Sequence, residues 1–427
     1  MTTLRLSGHR GSVDAVVSVP GSKSVANRAL LCAALAPDGE SRVSNVPGGD
    51  DCAAMLDALD RSGCLLPDGA VRGGLFPGGA TGYDAGLAGT TSRFLLAAAS
   101  LSPVGIVVDG DEPLRRRPMS DLLDALRKLG VGVDEMGEPG RLPVLVTGGA
   151  GVKGGEATVR GDVSSQFISA LMLVAPRFAS GLRISVDGDL VSAPYVRMTA
   201  EVMRSFGAEV HVGDRLIGVS AGGYRCTDYE VEPDFSSAAF PLMALAFTEG
   251  RVRVRNLGRA HLQGDSRVLE VARSMGLSVT AAGEDIVVER NPGSRLSPVD
   301  LDLRDASDLV PAVAVACAAI EGRSTIRGVG FIRNKESNRI TDLVACLAAI
   351  GVEALETDDG LMVTGGPAVS CPAPVPTHHD HRLAMAFALP AAGGIPVTIE
   401  DPGVVSKSWP TYFGDMTGVL GEGLTDN

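Results

Sequence analysis

The stretch Pro20-Gly21-Ser22-Lys23-Ser24-Val25-Ala26-Asn27-Arg28 decides how this chain is interpreted. Proline and glycine end a β-branched run at residues 13–19, and either serine can cap a helix. An alanine- and leucine-rich helix then runs on to residue 36. Because a helix amino terminus with nearby cations favours phosphate or carboxylate, the stretch predicts an anion site.

The spacing of the two cations limits where such an anion can lie. Lys23 and Arg28 are five positions apart, roughly 140° around an α-helix, so one ligand meets both only near the helix end. The stretch does not match the phosphate-loop pattern GxxxxGK[ST]. The alternative is an ordinary capped helix with solvated basic side chains.

Composition excludes several classes of function. The 427 residues are 45% hydrophobic and carry a formal net charge of -13. Such a chain can bury a large core, and its length favours two or more domains. The acidic balance argues against binding to nucleic acid or to an anionic membrane surface, since either would need a basic face. Any anionic substrate must therefore be held by local clusters of cations.

Cysteine and histidine usage indicates neither disulfides nor a metal site. The seven cysteines include no CxxC pair and read mostly as core residues in a reducing compartment. His378, His379 and His381 lie in a proline-rich loop and read as structural or solvated, so we expect no metal and no cofactor. The first residues are too polar for a secretory signal, and no apolar run approaches the roughly 20 residues of a membrane span. We expect a cytoplasmic protein.

A small or polar residue followed by an apolar helix recurs about every 70 residues along the chain. These helices start near Gly21, Gly89, Ser164, Asp234, Ala306 and Asp380. Second helices are predicted at 51–62, 119–129, 195–206, 266–275 and 336–350, and strands at 104–108, 144–146, 182–186, 252–254 and 286–288. A helix that is apolar all round is buried, so the first helix of each repeat should lie inside its domain with sheets outside. The alternative is chance recurrence of helix propensity.

Segments in the same order occur in the 3-phosphoshikimate 1-carboxyvinyltransferases, also called 5-enolpyruvylshikimate-3-phosphate synthases, and this chain resembles that family over nearly its whole length. The segments are residues 20–28, 88–93, 117–119, 161–167, 192–195, 334–339 and 380–385, followed by Lys407. The resemblance implies an α/β fold of two similar domains. Each would contain three βαβαββ units in an inside-out α/β barrel, with buried helices and outer sheets.

The resemblance also implies where the domains divide. Residues 1–20 and 234–427 would form one discontinuous domain, and residues 21–233 the other. The active site would lie in the interdomain cleft, and the domains would close over it about hinges near residues 19–20 and 233–234.

The implied reaction transfers the enolpyruvyl group of phosphoenolpyruvate to the 5-hydroxyl of shikimate 3-phosphate and releases phosphate, through a tetrahedral intermediate. Both partners are small polyanions, which suits a chain that places cations at helix starts. We expect a monomer with no nucleic-acid or membrane partner.

The resemblance assigns binding residues to each substrate. Shikimate 3-phosphate would contact Lys23, Ser24, Arg28, Ser164, Ser165, Gln166, Ser192, Tyr195, Asp308 and Lys335. Phosphoenolpyruvate would contact Lys23, Gly89, Arg117, Gln166, Arg339, Arg382 and Lys407.

Three residues are the catalytic candidates by the same resemblance. Asp308 would be the base toward the 5-hydroxyl, and Glu336 would handle the methyl proton. Lys23 would assist proton movement and the leaving phosphate. Asp308 has a structural alternative as a helix cap, because Ser307-Asp308 precedes an apolar helix.

The chain departs from the commonest family pattern at Leu87 and Phe331, where many relatives have asparagine, and at Phe94, where some have proline. Those polar contacts are not carried over. The rival within the fold is a UDP-N-acetylglucosamine 1-carboxyvinyltransferase, which has a lysine-asparagine pair where this chain has Lys23-Ser24. A rival of another class is a non-catalytic phosphometabolite-binding protein, against which Asp308 and Glu336 argue.

Overall fold

The apolar helices predicted from the sequence are buried in the structure. The computed structural model describes residues 2–9, 11–74, 76–149, 151–366 and 369–426. Within them the α-helices are α1 (Lys23–Leu35), α2 (Asp50–Arg61), α3 (Gly89–Ala99), α4 (Glu112–Arg115), α5 (Ser120–Lys128), α6 (Ser165–Val174), α7 (Ala193–Ser205), α8 (Phe235–Met243), α9 (Val268–Met275), α10 (Val310–Ala318), α11 (Arg339–Ala349), α12 (His381–Phe387), α13 (Tyr412–Asp415) and α14 (Thr417–Leu420). Helices α1, α3, α6, α8, α10 and α12 are buried along most or all of their length, which confirms the prediction from their apolar sequences.

The strands are short, from two to six residues each. In chain order they are β1 (Thr3–Leu6), β2 (Val13–Val17), β3 (Glu40–Ser41), β4 (Val43–Ser44), β5 (Val71–Arg72), β6 (Gly82–Asp84), β7 (Ile106–Asp109), β8 (Gly132–Glu135), β9 (Val144–Thr147), β10 (Gly155–Arg160), β11 (Leu182–Asp187), β12 (Val210–Val212), β13 (Leu216–Val219), β14 (Tyr229–Glu230), β15 (Gly250–Val254), β16 (Ser278–Ala282), β17 (Asp285–Arg290), β18 (Asp300–Asp302), β19 (Gly322–Arg327), β20 (Glu353–Thr357), β21 (Gly360–Gly365), β22 (Val397–Glu400) and β23 (Gly423–Asp426).

The chain divides into two units. The terminal unit consists of Met1–Pro20 and Glu232–Asn427, and the inserted unit is Gly21–Val231. The boundary after Val231 lies two residues before the crossing predicted between residues 233 and 234. Each unit has its own sheets and its own buried helices.

One sheet pattern recurs in both units. The inserted unit holds β6-β7-β9-β8 and β10-β11-β13-β12, and the terminal unit holds β2-β15-β17-β16 and β18-β19-β21-β20. In each sheet the first two strands are parallel and the remaining pairs are antiparallel. In chain order, one helix precedes the second strand of each sheet and another helix precedes the third strand. Each sheet with its two helices is therefore one βαβαββ unit, as expected for this fold.

The remaining sheet of the terminal unit has the same pattern, and the first strand of the chain, β1, is one of its strands. Strand β22 pairs with β1, and β1 pairs with β23, both antiparallel. Val375 forms a parallel bridge to Ile399 in β22. The short pairs β14-β4 and β3-β5 occupy the corresponding place in the inserted unit. Hydrogen bonding between strands far apart in sequence therefore completes both units.

The structure corrects two predicted helix starts. Residues 336–338 precede α11, which begins at Arg339 after the Asn338 side chain accepts a hydrogen bond from Thr341 N. Residues 266–267 belong to a 3₁₀ turn, Gly264–Arg267, before α9. The expected serine cap of α1 is also wrong, since Ser22 occupies the capping position without a side-chain hydrogen bond.

Gly250 provides a test of the strand pairing in the terminal unit. Its φ is +125°, and an added Cβ would lie 1.9 Å from the Val13 carbonyl oxygen in the paired strand. We expect Gly250→Ala to lower the free energy of unfolding by about 2 to 3 kcal/mol, measured by urea denaturation. Gly218→Ala in β13 is the control, because its Cβ would meet nothing within 4 Å. Equal stabilities of the two variants would contradict the pairing.

Candidate functional site

An ion pair and hydrogen bonds connect the start of α1 with the starts of two other helices of the inserted unit. Lys23 Nζ lies 2.7 Å from Asp51 Oδ2, in the first turn of α2. The Thr91 hydroxyl of α3 donates to the Asp51 carbonyl (2.8 Å), and Asn27 Nδ2 donates to Thr91 Oγ1 (3.1 Å). The position of Lys23 therefore depends on all three helices.

Arg28 points into the helix packing of the same unit. It donates from Nε to Thr199 Oγ1 (2.7 Å) and from Nη2 to Ser169 Oγ (3.2 Å), and it also donates to the Ser24 carbonyl (2.7 Å). Its guanidinium lies over the rings of Phe94 and Tyr195, with 5.2 and 6.0 Å to the centroids. Burial lowers the pKa of Arg28 to about 10, so the group is still charged at neutral pH. Its contacts fix α1 against α6 and α7.

Gly89 begins α3 where two guanidinium groups approach the backbone. An added Cβ would lie 2.4 Å from Arg117 Nη1 and 2.7 Å from Arg93 Nη1. Arg93 donates to the Gly89 carbonyl (2.9 Å) and to Gln166 Oε1 (2.8 Å). A side chain at this position would have to displace these guanidinium groups, so glycine allows both arginines to lie against the backbone.

The remaining predicted residues of the inserted unit lie at the starts of α6 and α7. The Ser164 hydroxyl caps α6 by accepting a hydrogen bond from Gln166 N (3.3 Å), and Ser165 is buried beside it. Ser192 occupies the capping position of α7 without a side-chain hydrogen bond to the helix, and its backbone is left-handed (φ +55°). Tyr195 follows in the first turn. Left-handed backbone at a residue other than glycine is strained and concentrates at functional sites.

Asp308 of the terminal unit is surrounded by cations. Its carboxylate lies 3.0 Å from Arg339 Nη1, 2.8 Å from Arg382 Nη2 and 3.8 Å from Lys335 Nζ. Burial raises the pKa of Asp308, but these positive charges outweigh burial and hold that pKa well below its usual range. Asp308 lies at neither capping position, because Ala306 precedes the 3₁₀ turn Ser307–Leu309 and Leu309 precedes α10.

Arg339 joins three carboxylates and is itself only 1% exposed. Besides Asp308, it donates to Asp380 Oδ2 (2.7 Å) and to Glu336 Oε2 (2.7 Å). Burial lowers the pKa of Arg339, but the three carboxylates outweigh it and raise that pKa above its usual range. We call Lys335, Arg339, Arg382, Asp308, Glu336 and Asp380 the terminal-unit charge cluster.

Two further predicted features of the terminal unit have simple placements. Lys407 is buried at the end of the 3₁₀ helix Pro402–Lys407. Phe331 is partly buried against the core, so it supplies no polar contact.

Among the described residues, no group of three or more histidine, cysteine or acidic side chains could hold a metal ion. His378 and His379 instead face Asp342 and Asp401, at 3.6 and 3.7 Å.

Comparison with known proteins identifies the family. A family model described as EPSP synthase (3-phosphoshikimate 1-carboxyvinyltransferase) matches residues 9–416. The chain belongs to this family. The 3-phosphoshikimate 1-carboxyvinyltransferase of Nostoc punctiforme is 37% identical over 423 residues, which cover 97% of this chain and 98% of that protein. That of Methanothermobacter thermautotrophicus is 39% identical over 407 residues, covering 94% and 95%.

Solved structures agree with this assignment. An EPSP synthase from Acinetobacter baumannii aligns with a TM-score of 0.82 and 26% sequence identity, covering 100% of both chains. The family resemblance stated from the sequence is thereby confirmed, as is the α/β fold. None of the helices in the described part of the chain is long and apolar enough to cross a membrane.

Two carboxylates at these helix starts, Asp51 and Asp380, have no role assigned from the sequence. Asp51 had a detectable signal, since the acidic pair Asp50-Asp51 opens an otherwise apolar helix start. Asp380 lies within a recognised segment, where it caps α12 by accepting from Arg382 N (2.9 Å). Their roles as partners of Lys23 and Arg339 depend on contacts across 28 and 41 residues.

The buried pair Arg339–Asp380 is a test of the charge cluster. We expect Asp380→Asn to lower the free energy of unfolding by about 3 kcal/mol, because it leaves a buried guanidinium short of one negative charge. The matched control is Asp14→Asn, which breaks an exposed pair with Arg251 in the same unit and should cost less than about 1 kcal/mol. Urea denaturation of both variants measures the difference, and similar losses would contradict the argument.

Proposed function

We propose that this chain transfers the enolpyruvyl group of phosphoenolpyruvate to the 5-hydroxyl of shikimate 3-phosphate and releases inorganic phosphate. The observation that carries the proposal is the buried carboxylate of Asp308 among Lys335, Arg339 and Arg382, in a chain that belongs to the family over residues 9–416. A base next to several cations suits a reaction between two polyanions.

We propose that each unit contributes residues to both substrates. In the inserted unit, shikimate 3-phosphate would contact side chains at the starts of α1, α6 and α7, and phosphoenolpyruvate would contact Lys23, Gly89, Arg117 and Gln166. In the terminal unit, Asp308 and Lys335 would contact shikimate 3-phosphate, while Arg339, Arg382 and Lys407 would hold phosphoenolpyruvate. Paired guanidinium donors match the carboxylate and phosphate groups of these ligands.

The ion pairs of the terminal-unit charge cluster determine how strongly Asp308 binds a proton, and therefore when it can act as a base. Because Arg339 and Arg382 donate hydrogen bonds to its carboxylate, Asp308 stays ionised and has a low affinity for a proton. An anionic substrate that takes hydrogen bonds from these arginines would reduce their effect on Asp308. Its affinity for a proton would then rise at the moment the hydroxyl must lose one.

The proposed chemistry proceeds by addition and elimination. The 5-hydroxyl oxygen forms a bond to C2 of phosphoenolpyruvate while Asp308 takes the hydroxyl proton. Glu336, which must first bind a proton in the complex with both substrates, gives that proton to the methylene carbon. The product of this addition is a tetrahedral ketal phosphate. Glu336 then takes a methyl proton back and the C–O bond to phosphate breaks. Lys23 stabilises the departing phosphate and passes to it the proton that Asp308 took from the hydroxyl, which returns both carboxyl groups to their starting states.

Phosphate release from phosphoenolpyruvate tests the function directly. We expect release only when shikimate 3-phosphate is also present, and none when UDP-N-acetylglucosamine replaces it. Release with the nucleotide sugar would favour the rival transferase of the same fold. Binding of both ligands without any release would favour a non-catalytic protein.

Substitutions can distinguish the catalytic roles of Asp308 and Glu336. We expect Asp308→Ala and Glu336→Gln each to lower kcat by about a hundredfold or more, because each removes a proton-transfer group. Glu336→Gln should also slow exchange of methylene protons of phosphoenolpyruvate with deuterated water. Glu356→Gln, which breaks the ion pair of Glu356 with Arg333, is the matched control and should leave kcat unchanged. Full activity of Glu336→Gln alongside severe loss in Asp308→Ala would remove Glu336 from the mechanism.

A further inference from the structure

Two buried hydroxyl groups hold the guanidinium of Arg28 inside the inserted unit. Thr199 of α7 accepts a hydrogen bond from Arg28 Nε (2.7 Å), and Ser169 of α6 accepts one from Arg28 Nη2 (3.2 Å). The two hydroxyl oxygens lie 2.9 Å apart, so they are also hydrogen-bonded to each other. Thr199 and Ser169 are fully buried, and Arg28 is 1% exposed. We call these three side chains the arginine–hydroxyl network.

Both hydroxyl groups donate their protons to partners other than Arg28. The Thr199 hydroxyl donates to the Tyr195 carbonyl one helical turn earlier (2.7 Å), a common arrangement for threonine in a helix. Because a hydroxyl has one proton, the hydrogen bond between the two hydroxyls uses the proton of Ser169. Each oxygen therefore presents lone pairs to Arg28, and a methyl group in place of either hydroxyl would leave a buried guanidinium N–H without its acceptor.

The network also connects the first turns of α1 and α7. Arg28 Nη1 donates to the Ser24 carbonyl (2.7 Å), and the Thr199 hydroxyl reaches the Tyr195 carbonyl. The guanidinium carbon lies 6.0 Å from the centroid of the Tyr195 ring. Ser24 and Tyr195 are partly exposed, whereas the network behind them is buried. A ligand can therefore reach these two residues, and the buried network fixes where they lie.

We infer that Thr199 and Ser169 are positioning residues for shikimate 3-phosphate. They act through Arg28, which holds the first turns of α1 and α7 in place for this substrate. The inference rests on the proposed function, in which Ser24, Arg28 and Tyr195 contact shikimate 3-phosphate. Thr199 and Ser169 touch no substrate atom in this scheme. Neutral hydroxyls suit the role, because they fix the guanidinium without cancelling a positive charge that favours an anionic substrate.

The test compares wild type with Thr199→Val, which replaces the hydroxyl with a methyl group of similar size and so removes the acceptor of Arg28 Nε. We expect the Kd for shikimate 3-phosphate alone, measured by titration calorimetry, to rise by about tenfold, because the residues that contact it are no longer held in place. Thr199→Ser keeps the hydroxyl and should stay within about threefold of wild type. Equal losses in the two variants would overturn the inference.

Steady-state rates separate the positioning of one substrate from general damage to the fold. In Thr199→Val, KM for shikimate 3-phosphate should rise by about tenfold, whereas KM for phosphoenolpyruvate at saturating shikimate 3-phosphate should change by less than about twofold. A parallel rise in both constants would contradict a role for one substrate.

Ser62→Ala is the matched control for these measurements. It removes another buried hydroxyl of the inserted unit, one that donates to the Ala58 carbonyl (2.8 Å) at the far end of α2. This variant should leave the Kd and both KM values unchanged, because Ser62 lies outside the arginine–hydroxyl network. A loss of shikimate 3-phosphate binding equal to that of Thr199→Val would count against the inference.

Ser169→Ala gives a second measurement on the same guanidinium and carries the test if Thr199→Val does not fold. Its contact with Arg28 is longer, 3.2 Å against 2.7 Å, so we expect a smaller rise in the Kd, of about threefold. The double variant should lose less than the product of the two single losses, because both hydroxyls act on one side chain. An unchanged Kd in Ser169→Ala, or independent losses in the double variant, would overturn the inference.

Binding and turnover together distinguish this inference from the proposed function. Titration with shikimate 3-phosphate needs neither phosphoenolpyruvate nor turnover. Binding that weakens in Thr199→Val, without phosphate release by wild type when both substrates are present, would overturn the proposed transfer and support the inference. Phosphate release by both proteins with equal Kd values would overturn the role of Thr199 alone.

Discussion

The guanidinium of Arg339 is buried among three carboxylates, and the terminal unit is arranged around this contact. Asp308 precedes α10, Glu336 precedes α11, and Asp380 caps α12. One side chain therefore links three helix starts. A buried cation requires such partners, because without them the cost of removing it from water is several kcal/mol. The same requirement explains how an acidic chain can keep several cations buried close together.

The inserted unit stabilises its central arginine differently. The contacts of Arg28 are with hydroxyl and carbonyl oxygens and with the faces of two rings, so its positive charge meets no carboxylate among them. Lys23 is paired with Asp51. The charge of Arg28 is therefore stabilised by neutral oxygens and ring faces, whereas that of Arg339 is stabilised by carboxylates.

Much of the fold could be predicted from the sequence because its signals are local. Apolar residues on every face of α3, α6 and α10 predict burial whatever the partner, and the repeat of helix starts predicts the repeating unit. The errors are local too. The helix expected from Glu336 begins at Arg339, because Asn338 caps it and leaves Glu336 outside, where its carboxylate reaches the arginine.

The sequence by itself determined the buried helices, the repeated βαβαββ units, the family and the helix starts that carry the polar residues. Only the tertiary structure decided which carboxylate faces which cation. Arg382 and Asp308 are 74 residues apart, and Lys23 and Asp51 are 28 apart. The hydrophobic period of a helix is encoded within a few turns, whereas an ion pair depends on how separate helix starts converge.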